Sequence, residues 1–125
     1  MTMPSKQNLV VDKFFEIQNQ LKLLHWQTKS YARHMAFGTA GDALAGLVDD
    51  FVEVHMAKYG RVMSSGSVRL QNGSRGIAES FIADTESFLV GLTSVYDASM
   101  DSDLLNIRDE MLGILNKMKY QLTLK

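Results

Sequence analysis

The chain has 125 residues and a formal net charge of −1, with a pI near 6.3. That is one domain's worth of core, and no electrostatic field that would draw DNA, RNA or anionic lipid. It has no cysteine, which excludes disulfides, thiolate zinc sites and cysteine nucleophiles, so any metal must be held by nitrogen and oxygen. No apolar run approaches the roughly 20 residues of a membrane span, and residues 1–8 lack a signal-peptide pattern, so a cytoplasmic protein is expected.

The single proline, Pro4, and Ser5 read as a helix start. The first helix is predicted over about residues 5–29, with Val10, Phe14, Ile17, Leu21 and Leu24 repeating at three and four. Val11, Phe15 and Trp26 lie on a different face, a wide core face or a subunit contact. The second helix is predicted over about 31–59, starting near Ser30 and capped by Gly60. Its stripe is Phe37, Ala40, Leu44, Leu47, Val48 and Phe51. At about 100° per residue this stripe points roughly 150° away from the first helix's stripe. A turn between Thr28 and His34 is therefore required. Gly38, Gly41 and Gly46 weaken the second helix and imply a close helix approach in compensation.

Residues 61–75 form one long polar connection, able to reach about 46 Å when extended and so to cross the whole bundle. A third helix is predicted over about 76–98, with Ile77, Phe81, Phe88, Leu89, Leu92, Val95 and Tyr96 on one face. A turn at Ser99–Ser102 follows, with Asp101 or Ser102 as cap. The fourth helix, about 102–122, uses Leu104, Ile107, Met111, Ile114, Leu115, Met118 and Leu122. Two short turns and one long middle connection give an all-α four-helix bundle of ferritin-like connectivity in a single domain. An up-down-up-down bundle with a slack loop is the other solution.

On the second helix Asp42, Asp49 and Glu53 fall within about 40° of one another, opposite the apolar stripe, with Asp50 some 60° beyond. A solvated face is one reading. The other is a metal site at a subunit contact, where carboxylates and one or two imidazoles suit iron or manganese. His25 borders the first helix's stripe, His34 lies in the first turn of the second, and His55 falls on the core side and reads as structural. The last two helices hold no histidine, and no acid stands three residues before one. The Glu-x-x-His pairs of intrachain di-iron bundles are thus missing, and two chains would have to meet to close a site.

These residues resemble the mini-ferritins, the Dps family. That family carries a His-Trp pair late in its first helix, a second His early in the next, an Asp fifteen residues on and a Glu four further. Here the counterparts are His25-Trp26, His34, Asp49 and Glu53. The resemblance implies an inter-subunit di-iron ferroxidase site, with His25 and His34 from one chain and Asp49 and Glu53 from the other. Fe(II) would be oxidised there by peroxide or oxygen, with Glu53 bridging two metals and Trp26 quenching oxidising equivalents. Iron would be stored against oxidative stress inside a twelve-subunit shell. Three departures stand out. The two histidines are nine apart rather than about twelve, the family's further acid is Gly38 here with Asp42 its substitute, and the basic DNA-binding tail is absent. Direct DNA binding is not expected. The short chain resembles compact members of phages and large DNA viruses, for which a host cytoplasm or virion location would follow. The alternatives are a non-enzymatic homo-oligomeric assembly, such as a virion component, and a structural zinc or manganese site.

Overall fold

A computed structural model describes residues 6–125. Its elements are α1 (Lys6–Gln27), α2 (Tyr31–Tyr59), α3 (Ile77–Gly91), a 3₁₀ turn at Leu92–Ser94 and α4 (Ser102–Gln121). The expected start at Pro4 and Ser5 lies outside the described residues. The break required between the first two helices falls at residues 28–30. Ser30 adopts an extended conformation there and its hydroxyl accepts the Arg33 N–H at 3.2 Å, filling one of the orphan donors of the first turn. Gly60, at φ 92°, ends α2 and donates to the Met56 carbonyl.

α1 and α2 are antiparallel. Phe14 meets Phe51 edge-on at 5.1 Å, Leu21 faces Gly41, and His25 faces Gly38. The rings of Phe14 and Phe88 bring α3 against α1, while Arg33 and Glu79 pair the N-terminal ends of α2 and α3. α4 packs on α2 and α3. The order is up-down-down-up, and the long connection runs the length of α1: Ser64 meets Asp12, Gln71 meets Gln20, and Gly73 meets Gln27. This is the one-crossover connectivity of ferritin-like bundles, and it rules out the up-down-up-down alternative.

The five stripe residues of α1 are all buried, and so is Val11. Phe15 and Trp26 remain exposed. The α2 stripe is buried except for Leu47, which packs half-buried against the core.

The third helix departs from expectation in two ways. Its buried seam is Ala78, Ile82, Thr85, Leu89 and Leu92, whereas Ile77, Phe81, Phe88 and Val95 flank the core. Thr85 fits the seam because its hydroxyl donates to the Phe81 carbonyl at 2.8 Å. α3 also ends at Gly91 rather than near residue 98. Arg108 of α4 donates to the Leu89 carbonyl at 2.8 Å and to Thr93 at 3.1 Å. The Asp97 carboxylate gathers the Ser99 and Met100 N–H groups into a turn. Carbonyls satisfied from outside leave the helix no reason to continue. In α4 the fit is closer: Leu104, Met111, Leu115 and Met118 are buried, joined by Leu105.

Candidate metal centre

The α1–α2 corner is held by its two histidines. His25 Nδ1 lies 2.7 Å from the His34 carbonyl and His34 Nδ1 lies 2.8 Å from the His25 carbonyl. A carbonyl only accepts, so both Nδ1 atoms carry protons and, in the neutral rings, both Nε2 atoms keep their lone pairs. The rings stack at 3.8 Å with 17° between their planes. Neither Nε2 has a hydrogen-bond partner among the described residues, and both side chains are half-buried. An N–H given to a backbone carbonyl is how metal-ligating histidines are usually oriented. Near-parallel rings 3.8 Å apart also have lone pairs that do not converge on one point about 2.1 Å from each nitrogen. As oriented, the pair suits one metal per ring rather than one shared metal.

Gly38 is glycine for a steric reason. A Cβ there would stand 2.8 Å from His25 Cε1 and 2.9 Å from Nδ1. The acid that the mini-ferritin pattern carries at this point does not fit beside His25 in this position. Asp42, the suggested substitute, lines the same groove as His25, with Gln18, Lys22 and Gly41.

Further along α2, Asp49, Asp50 and Glu53 each bring a carboxylate oxygen to within 4.8 Å of the others. All three side chains are exposed, and none has an ion-pair partner among the described residues. Asp50 joins the group although the helical wheel sets it off the arc, since it adjoins Asp49 and stands three residues before Glu53 on the same helix. His34 and Asp49 lie fifteen residues apart on one helix, about 22 Å along its axis. A single chain brings the histidines together and the acids together, but not the two sets to each other.

Trp26 is exposed, with the Lys22 ammonium 5.8 Å from its ring centre. His55 sits in the core, as its position on the wheel indicated. Its Nδ1 is 3.0 Å from the Tyr96 hydroxyl and its buried Nε2 has no partner. Around it lies a network that the sequence pattern did not signal. The buried Asp101 carboxylate accepts from the Tyr59 hydroxyl, from Lys58 at 3.1 Å and from the Asp97 N–H at 2.9 Å. Burial pushes the Asp101 pKa up, but these donors outweigh it and hold it below the usual value. Asp101 occupies the cap position of α4 without capping it; its oxygens are spent on this network.

A family model described as a family of unknown function (DUF5856) matches residues 25–122, a span that holds both stacked histidines and the whole acidic group. No curated protein and no solved structure matches the chain.

Proposed function

The chain belongs to that family, which brings no activity with it, and we propose from its own residues that it is a mini-ferritin-like protein. In this reading Fe(II) is the substrate, bound and oxidised where two copies meet. The observation that carries the reading is the pair of matched, separated half-sites: two Nε2 lone pairs oriented by carbonyls at the α1–α2 corner, and three carboxylates without partners among the described residues further along α2, with His34 and Asp49 about 22 Å apart on that helix. Two copies with α2 reversed would bring each half to the other. The combined set of nitrogen and carboxylate oxygen suits iron and, as a structural ion, manganese or zinc.

His25 and His34 would supply one nitrogen each. Asp49 and Glu53 would supply the oxygens, Glu53 as the bridge, with Asp50 beside them and Asp42 at the margin. Each Fe(II) gives up one electron, and one peroxide takes two electrons and two protons to become two waters. The carboxylates offset the charge that builds up on oxidation. Trp26, next to His25 and open to solvent, is the nearby oxidisable side chain. Collection of the product in a shell of twelve copies belongs to the same proposal.

The test is Fe(II) oxidation by peroxide, followed optically, in wild type and Glu53→Ala. Saturable oxidation lost in the variant, with helical content unchanged, supports the site. An equal rate in both sinks it. The second reading is a non-enzymatic homo-oligomeric assembly, favoured by the absence of an acid at position 38 and by exposed Phe15 on the α1–α2 face. The histidine pair then acts only as a corner clasp, and iron, zinc or manganese leaves the melting temperature where it is without metal.

A further inference from the structure

We infer that residues 61–75 are a strap that comes off α1 as a unit while the four helices stay packed, uncovering the seam between α1 and α3. The strap buries none of its side chains, and only Val62 is half-buried. Met63, Val68 and Leu70 stay exposed. Burial of apolar area is what ties a segment to a folded core, and here it is nearly absent.

What holds the strap is polar and comes from one face of α1, at positions eight and seven residues apart. Asp12 accepts from the Ser64 hydroxyl and from the Ser65 N–H at 2.9 Å. Gln20, itself 3% exposed, donates to the Gln71 carbonyl and accepts the Gln71 N–H, each at 2.8 Å. Gln27 accepts the Gly73 N–H at 2.6 Å and donates to the Asn72 side chain at 3.0 Å. Each of these groups finds water when the strap lifts, so release leaves no orphaned partner. Segments with few apolar contacts and solvent-near hydrogen bonds are those that open below the global unfolding limit.

Gly76, at φ 83° with no side-chain cap, starts α3, and Gly60, at φ 92°, ends α2. Positive-φ glycines at both ends let the strap swing without pulling on either helix. Lys13, Glu16, Phe81 and Asp84 line the seam beneath its middle. Its far end rests on Leu24 and Gln27, beside the histidine corner.

Amide hydrogen exchange tests the inference on the intact chain. The Ser65, Gln71 and Gly73 amides are expected to exchange with little denaturant dependence, while core amides of α1 and α2 exchange through global unfolding. Strap amides sharing the core's dependence would overturn the inference. In Gln20→Met, exchange at Ser65 and Gly73 is expected to quicken about tenfold, although their own partners, Asp12 and Gln27, are intact. Quickening confined to Gln71 would overturn release as a unit. Equal quickening in the helices would make the strap part of the core.

Discussion

His25 and His34 at one end of the bundle each keep a ring nitrogen uncommitted in a half-exposed position. At the other end, His55, Tyr96, Tyr59, Asp101 and Lys58 turn almost every polar atom on one another. Both corners join helices through polar side chains, but they differ in what is left over. With the exception of His55 Nε2, the closed corner satisfies its buried groups, whose desolvation would otherwise cost free energy. The open corner spends one nitrogen per ring on geometry and leaves the other for a partner. Networks of this kind fit a structural role, whereas an oriented Nε2 lone pair left unpaired near the surface is what the proposed site requires.

The largest effect that would break the comparison falls on the closed corner. Asp101→Ala removes the acceptor of the Tyr59 hydroxyl, the Lys58 ammonium and the Asp97 N–H together. Truncating one member of a buried charged pair costs about 3 kcal/mol, and chemical denaturation should show that loss. Under the proposed function, Fe(II) oxidation should survive at temperatures where the variant stays folded, since the network touches neither proposed half-site.

A smaller effect sharpens the comparison at the open corner. Gly38→Ala gains about 1 kcal/mol of helix propensity, yet places a methyl group 2.8 Å from the His25 ring. The ring must turn, and the bond to the His34 carbonyl goes with it. A net loss of about 1 kcal/mol is expected. The telling readout is metal-dependent stabilisation, read as melting temperature with and without Fe(II) or Zn(II): it should fall well below wild type. Unchanged metal response would show that the stacked arrangement is not the ligating one.

The residues that were legible beforehand share a physical trait. The stripes of α1 and α2 are long, strongly periodic and settled by burial alone, so Phe14, Leu21, Leu44 and Phe51 could be placed from spacing. The end of α3 could not. It depends on Arg108, reaching from α4 to carbonyls nineteen and eighteen residues earlier. In the candidate site, the spacing of Asp49 and Glu53 was visible on a wheel, whereas Asp50, set about 60° off by the wheel, still brings a carboxylate oxygen within 4.8 Å of theirs. Gly38 reads in sequence both as a missing acid and, with Gly41 and Gly46, as a glycine of close helix approach. The His25 ring beside Gly38 and Leu21 beside Gly41 bear out the approach, whereas a Cβ at Gly46 would meet nothing, so that glycine has no packing reason. Likewise nothing local announces Asp101 as buried, because two of its three partners, Lys58 and Tyr59, come from α2.

The smallest expected effect is a pH dependence confined to the closed corner. Burial holds the His55 pKa below its ordinary 6.5, with Asp101 pulling partly back. Above about pH 7 the ring is neutral in both folded and unfolded chains and contributes no slope. Below 6.5 the unfolded chain takes up a proton that the folded chain resists, so stability falls with pH until the folded ring also titrates. The imidazolium would bring two N–H donors to a place with one acceptor, the Tyr96 oxygen, because the Asp101 oxygens are already engaged by Tyr59, Lys58 and Asp97. Lys58 and Asp103 are paired at 2.7 Å, and the Asp97 carboxylate is held below its usual range by the Met100 and Ser99 N–H groups, so none of the three changes charge in this window. Unfolding free energies measured between about pH 7.5 and 5.5 should therefore decline in wild type and decline less in His55→Phe, which keeps the ring's volume and loses its proton. Equal slopes would show that His55 is not the source of the acid sensitivity, and the closed corner would lose this mark of distinction from the open one.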